Sequence, residues 1–190
     1  MWTPLLLIAT SPLLMGRSEG PLWPKDLLPL GGYTERHGVL EQGGGDELKV
    51  RTLILKQGKT IVAIASCEML TVPESLHDEV TARLPGVGLF LQATHTHCAP
   101  DSQMLNSRMT LAIPGIATFR PALLASTAER IATVIRRGME HLDPVRTAEI
   151  SQWRVAANRA RRRLAQPDAR ATLLKLNGQP AIFNFAAHPT

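Results

Sequence analysis

Aromatic residues are scarce in this sequence: they make up 4% of its 190 residues and include a single tyrosine, Tyr33. Proteins that hold single-stranded nucleic acid stack its bases on aromatic side chains, and this chain offers few such platforms. The formal charge is +5, but much of the excess lies in residues 154–170, and such a basic run is more often a solvated face or a loop than a phosphate-binding patch. No nucleic-acid partner is therefore expected, and a basic nucleic-acid-binding protein is the least favoured of the functional alternatives.

Cysteine is also rare, because Cys67 and Cys98 are the only two, so the sequence excludes a disulfide framework. The two cysteines can pair, but their spacing does not require it. Beyond the apolar start of the chain, no segment approaches the ~20 apolar residues of a membrane-spanning helix, and we expect no transmembrane segment. These features leave the oligomeric state open, and they leave the compartment undecided between cytoplasmic and exported.

The start of the chain, MWTPLLLIATSPLLMG, is apolar and has two interpretations. It lacks a positively charged region and a clear cleavage site, and Pro4 and Pro12 interrupt it, which argues against a signal peptide. Residues 1–26 are therefore interpreted either as a leader or as a first strand followed by a loop. We favour a buried first strand over residues 5–10.

The rest of the composition, 44% hydrophobic and 19% charged, is typical of a globular protein, and the length suits a single domain over residues 1–190. Glycine and proline are concentrated in residues 15–45, which predicts long loops there. Apolar runs bounded by turn residues predict later strands over residues 50–55, 60–66, 88–93, 148–154, 171–176 and 181–187. Apolar residues at helical spacing predict one helix between Pro73 and Pro85 and a longer one over residues 121–141.

This order of strands and helices predicts an α/β or mixed α+β fold, a layered sheet with covering helices. The sequence stops directly after a predicted strand, with no closing helix. We therefore interpret it as a fragment or truncated product.

Two histidines, His95 and His97, directly follow the predicted strand over residues 88–93. At positions i and i+2 of a strand, two side chains point to the same face, with Cα atoms about 6.5–7 Å apart. Two such imidazoles can converge on one metal ion, or one can bind metal while the other transfers protons. They can equally be hydrogen-bonded histidines at a strand end, and the pair alone does not decide.

His188 follows the last predicted strand in the same way. Ligand sites in open sheets gather at the carboxyl ends of strands, so two strands that each deliver histidine to that edge favour a shared metal site. Neutral imidazole suits zinc, and an open coordination position would activate water near neutral pH.

Five segments of the chain occur in the same order in one known enzyme family. THTHCAP and NFAAHPT are similar to the family's THTHSGP signature and to the strand that ends in its second zinc-binding histidine. LPLGGYTER is similar to an early Gly-Tyr loop, IVAIASCEML to a strand that ends in an acidic residue, and residues 157–159 to an Asn-Arg segment. Over residues 28–190, the chain resembles the N-terminal part of the catalytic domain of the neutral, non-lysosomal ceramidases.

The resemblance implies a zinc-dependent hydrolase that cleaves an N-acyl amide bond, with a ceramide-like lipid or a related amide as substrate. It implies that His95 and His188 hold Zn²⁺, that His97 assists with substrate or proton transfer, and that Arg159 positions or polarises the carbonyl. The remaining candidates, which would contact the substrate or support the ligands, are Tyr33, Glu68 and Asn158. The family's other zinc ligands, a glutamate and a tyrosine, and its catalytic serine come from further downstream.

Two positions depart from the family pattern, because Cys98-Ala99 stands where the ceramidases have Ser-Gly and Glu68 stands where an aspartate is usual. These differences place the chain in an outlying branch. Glu68 has a purely structural alternative, and Cys98 beside His97 is a less favoured candidate for a thiolate nucleophile. For the whole chain, the alternative to a hydrolase is a catalytically incomplete, ceramidase-like binding or vestigial domain.

Overall fold

The computed structural model describes residues 11–25, 28–36, 40–41, 47–156 and 168–187. Within these residues the strands are β1 Leu13–Pro21, β2 Leu28–Pro29, β3 Leu40–Glu41, β4 Lys49–Gln57, β5 Thr60–Cys67, β6 Val87–Ala93, β7 Asp143–Pro144, β8 Ala148–Arg154, β9 Arg170–Leu176 and β10 Gln179–Phe185. The α-helices are α1 Glu74–Ala82 and α2 Pro121–Glu140, and short 3-10 helices cover Thr34–Arg36 and Ser102–Leu105. None of the helices in this part of the chain is long and apolar enough to cross a membrane.

A five-stranded sheet of order β6-β5-β4-β1-β7 forms the centre of the fold. β4 and β5 form an antiparallel hairpin that turns at Gly58, where φ is +57°. β5 and β6 are parallel and are connected through α1, and Cys67 pairs with Ala93 at their ends. Because the two strands are parallel, their carboxyl ends meet at one edge of the sheet, where ligand sites gather in such folds.

The core lies between this sheet and the two α-helices. Leu76 and Val80 of α1 are fully buried, as are Ile131 and Ile135 of α2. Pro73 precedes α1 and Pro121 begins α2, in agreement with the preference of proline for helix starts. Both predicted helices are therefore confirmed, and their apolar stripes form the helical side of the core.

α2 packs closely on β1 because both elements present small residues to each other. The Ser18 hydroxyl donates a hydrogen bond of 2.6 Å to the Val134 carbonyl. A Cβ added at Gly16 would overlap the carbonyl oxygen of Gly138, and one added at Gly20 would lie 2.8 Å from Val134 Cγ2. Glycine in this strand therefore marks a close approach of the helix.

The prediction of long loops over residues 15–45 is wrong for its first part. β1 is a nine-residue strand that pairs with β4 along its whole length and with β7 at one end. Gly16 and Gly20 indicated a loop in the sequence, whereas in the fold they make room for α2. The strand favoured over residues 5–10 lies outside the described residues.

A separate three-stranded antiparallel sheet has the order β10-β9-β8. β9 and β10 meet at Asn177 and Gly178, where φ is +52° and +74°, as in the tight turns that Asn-Gly favours. The six strands predicted after residue 45 are thus present as β4, β5, β6, β8, β9 and β10. The predicted fold, a mixed layered sheet with covering helices, is confirmed.

Candidate functional site

The candidate site lies at the edge where β5 and β6 end. β6 ends at Ala93, so His95 and His97 lie beyond the strand and the predicted i, i+2 strand geometry does not hold. Their rings nevertheless approach each other, with centroids 5.2 Å apart and perpendicular planes. His95 has a left-handed backbone, with φ at +62°. Such a conformation costs a non-glycine residue about 1–3 kcal/mol and is concentrated at functional sites.

One hydrogen bond sets the orientation of the His95 ring. Its Nδ1 lies 2.8 Å from the carbonyl oxygen of Leu70, in the segment that follows β5. A carbonyl oxygen only accepts hydrogen bonds, so Nδ1 carries the proton, and in the neutral ring Nε2 carries the lone pair. Metal-binding histidines show this arrangement, in which one nitrogen donates to a backbone carbonyl or carboxylate and the other binds the ion.

The Gly-Tyr loop covers His97. The Tyr33 ring lies over it, with centroids 4.6 Å apart and planes at 43°, and both ring nitrogens of His97 are buried. Gly32 has a φ of +95°, and a Cβ there would overlap the imidazole ring. Glycine is therefore required at this position both for the backbone conformation and for the space that His97 occupies.

Backbone pairing holds this loop against the segment that carries the histidines. Leu30 and Pro100 form an antiparallel bridge, and the Gly31 N–H donates to the Ala99 carbonyl at 3.1 Å. LPLGGYTER and THTHCAP, which are each similar to a family segment, are therefore in contact with each other in the fold. The sequence placed them far apart and gave no indication that they pair.

Asp101 is a buried residue of the site that the sequence did not single out, and it is only 5% exposed. One carboxylate oxygen accepts from the Gln103 N–H at 2.9 Å, and the other accepts from the Ala117 N–H at 3.0 Å. Its own N–H donates to the Pro29 carbonyl at 2.8 Å. Aspartate before a short helix is a typical N-cap, but the bonds to Pro29 and Ala117 depend on the fold.

Glu68 directly follows β5, and its carboxylate contacts β4. Its carboxylate accepts the Lys49 N–H at 2.7 Å and forms an ion pair with Arg51. The Glu68 hydrogen bond is the largest cause that raises the pKa of the Arg51 guanidinium. These contacts are the ones expected if Glu68 has a purely structural role. A role of Glu68 beside a metal-bound imidazole stays a prediction.

The two cysteines have different environments, and both are free thiols. Cys67 is fully buried in the core, and burial raises the pKa of its thiol to about 12. Cys67 is therefore a small residue of the core. Cys98 is exposed at the site, and its N–H donates to the Thr96 hydroxyl at 3.2 Å.

Three of the predicted site residues, His188, Arg159 and Asn158, lie outside the described residues. The zinc pair of His95 and His188 therefore stays a prediction. Within the described part of the chain, no three His, Cys, Asp or Glu side chains gather as a metal site. The His95 ring suits the role of a zinc ligand. When Nδ1 donates a hydrogen bond to a carbonyl, the lone pair that binds a metal ion lies on Nε2 of the neutral ring.

No family model and no curated protein matches the sequence. Among solved structures, the chain matches the neutral ceramidase from Pseudomonas aeruginosa with a TM-score of 0.71 and 18% identity, over 90% of this chain and 31% of that one. The chain resembles neutral ceramidase in its fold. A second structure, described as a ceramidase complexed with C2, matches with a TM-score of 0.67 and 17% identity over 90% of this chain. The chain spans 31% and 30% of these two structures.

Proposed function

We propose that the chain is part of a zinc-dependent hydrolase that cleaves an N-acyl amide bond. The observation that carries this proposal is the placement of the His95 ring. The Leu70 carbonyl holds the ring through Nδ1, and the centroid of the ring lies 5.2 Å from that of the His97 ring. The position at the carboxyl edge of a sheet, in a fold similar to that of neutral ceramidase, supports it.

In this proposal, His95 and His188 hold the metal. Zinc, when bound, activates a water molecule and polarises the amide carbonyl. His97, with its ring perpendicular to that of His95, assists with proton transfer or substrate contact. Arg159 positions the carbonyl group and stabilises the negative charge that develops on its oxygen.

A lipid-like amide is the favoured substrate class because two loops at the candidate site expose apolar side chains. Tyr33 is 40% exposed beside His97, and Ile113 is 44% exposed in a following loop. This loop approaches the Gly-Tyr loop, since a Cβ added at Gly115 would overlap the backbone of Thr34. An acyl chain would gain from contact with such side chains at about 25 cal/mol per Å² of apolar surface removed from water.

Zinc binding by the purified full-length protein tests the proposal, because the family's other zinc ligands come from further downstream. We expect stoichiometric zinc after dialysis against a metal buffer, and loss of that zinc in a variant with both His95→Ala and His188→Ala. His77→Ala is the matched control, because this histidine lies on α1 with its side chain 44% exposed. Absence of zinc from the wild-type full-length protein, or its retention by the double variant, would contradict the proposal.

A second candidate is a catalytically incomplete domain that binds the same ligands. It is favoured by the 31% share of the neutral ceramidase structure that the chain covers. Release of the acyl group from a fluorescent N-acyl amide by the purified chain would exclude it. Binding of zinc and of the amide without release would favour it over the hydrolase.

A further inference from the structure

The peptide unit between Leu70 and Thr71 is held from both of its sides. Its carbonyl oxygen accepts the hydrogen bond from His95 Nδ1 at 2.8 Å. Its N–H donates to the Ser102 hydroxyl oxygen at 3.1 Å. Because a peptide unit is planar, its C=O and N–H cannot rotate independently of each other. The Ser102 hydroxyl therefore fixes the direction of the carbonyl that orients His95.

Ser102 is itself anchored by contacts that do not involve this peptide. It is fully buried and begins the 3-10 helix Ser102–Leu105. The preceding residue, Asp101, caps that helix through the Gln103 N–H and also binds the Ala117 N–H and the Pro29 carbonyl. The serine hydroxyl thus has a fixed position, set by two other segments around the site.

The His95 ring needs such support because regular strand pairing does not hold it. Its backbone lies beyond β6 with a φ of +62°. In a buried environment, a row of hydrogen bonds polarises its members and strengthens them. A firmer bond at Nδ1 fixes the tautomer and the orientation of the imidazole ring.

We propose that Ser102 is a positioning residue for His95, which acts through the Leu70–Thr71 peptide to fix the orientation and tautomer of the imidazole ring. Ser102 makes no contact with substrate in this proposal. The consequence for metal affinity rests on the proposed function, in which Nε2 of His95 binds zinc. The hydrogen-bonded arrangement of Ser102, the peptide and His95 does not rest on it.

The experiment compares Ser102→Ala with Ser18→Ala in the full chain. Ser18 is a matched control, because its hydroxyl also makes a partly buried hydrogen bond, to the Val134 carbonyl, but on β1 and α2. Nitrogen-15 NMR of the histidines reports which ring nitrogen of His95 carries the proton and how fast that proton exchanges with water. Zinc affinity, measured with zinc ions alone by competition with a chelating dye, is the second readout.

In the wild-type chain we expect the His95 proton on Nδ1, with slow exchange. Ser102→Ala should give a mixture of His95 tautomers or faster proton exchange. Zinc affinity should fall about 10- to 100-fold, which is the usual effect of removing a residue that orients a metal ligand. Ser18→Ala should lower the melting temperature but leave the His95 signal and the zinc affinity unchanged. A merely structural role of Ser102 would make the two variants behave alike.

An unchanged tautomer and exchange rate in folded Ser102→Ala would overturn the proposal. If Ser102→Ala does not fold, Asp101→Asn decides in its place, because a carboxamide has one acceptor oxygen for the two N–H groups. That variant should change the His95 signal in the same direction, and an unchanged signal would overturn the proposal. If the wild-type full-length protein binds no zinc, the proposed function fails, and the NMR measurement still tests the role of Ser102.

Discussion

The five-stranded and three-stranded sheets both contain apolar residues in their strands, yet within the described residues only the first has a helical layer over it. In β4, Val50 and Ile54 are fully buried beneath α2. In β8, every residue is exposed, and Ile150 is 72% exposed. A strand-forming sequence thus forms a strand in both places, but apolar surface leaves water only where another layer covers it. We infer that the helix-covered sheet provides most of the stability of the described chain.

The same isoleucine-to-alanine substitution should have very different effects in the two regions. Ile135→Ala, in the fully buried face of α2, should lower the free energy of unfolding by about 2–5 kcal/mol. Ile150→Ala, on exposed β8, should change it by no more than about 0.5 kcal/mol. Urea denaturation measures both effects, and equal losses would mean that the small sheet is as stabilising as the helix-covered one.

A substitution of intermediate effect tests the close contact between β1 and α2. Gly16→Ala adds a methyl group where the Gly138 carbonyl lies, so it should destabilise the chain by about 1–3 kcal/mol. Gly88→Ala in β6 is the control, because the added carbon would lie 3.6 Å from the nearest backbone atom. Thermal unfolding that ranks Gly88→Ala as the more harmful change would contradict the close contact.

The cysteines measure how well the helix-covered sheet excludes solvent. A thiol-reactive dye should label exposed Cys98 at once and Cys67 only as the core opens.

In the folded chain the Cys67 thiol stays protonated because its pKa is raised to about 12. The stability that comes from burying the neutral thiol is present below pH 9 and is lost as pH rises toward 12. A Cys98→Ala chain that is labelled quickly in the folded state would contradict the burial of Cys67.

The smallest expected effect belongs to the three-stranded sheet. Arg170 at the start of β9 donates side-chain hydrogen bonds to Asp168 and lowers the pKa of that carboxyl from 3.8 to about 2. A lowered folded-state pKa stabilises the fold above pH 3.8, and this contribution is lost as pH falls toward 2. Asp168→Asn should therefore weaken the dependence of stability on pH in that range only slightly, since both side chains are exposed. A large change in acid denaturation would contradict this.

Local patterns predicted much of the fold. α1 and α2 have proline at their starts and apolar residues at helical spacing, and these signals lie within each segment. β1 was missed because Gly16 and Gly20 are there to make room for α2, which lies more than a hundred residues away in the chain. Tertiary contact, and not local preference, determines the structure of that segment.

Local sequence patterns likewise predicted only part of the candidate site. THTHCAP predicted the pair of imidazoles, but the left-handed backbone of His95 and its bond to Leu70 depend on a contact 25 residues away. Asp101 and Ser102 carry no signal beyond a helix cap, because their partners lie in distant segments. The zinc pair, which needs His188, stays a prediction.

The fit of Gly32 against the His97 ring has a consequence for engineering. A library that varies the Gly-Tyr loop should keep position 32 unchanged, because any side chain there would displace the imidazole. The neighbouring Tyr33 is 40% exposed, so a different side chain at that position has space toward solvent. Variation in this loop is therefore best introduced at position 33, one residue from a position that tolerates no variation.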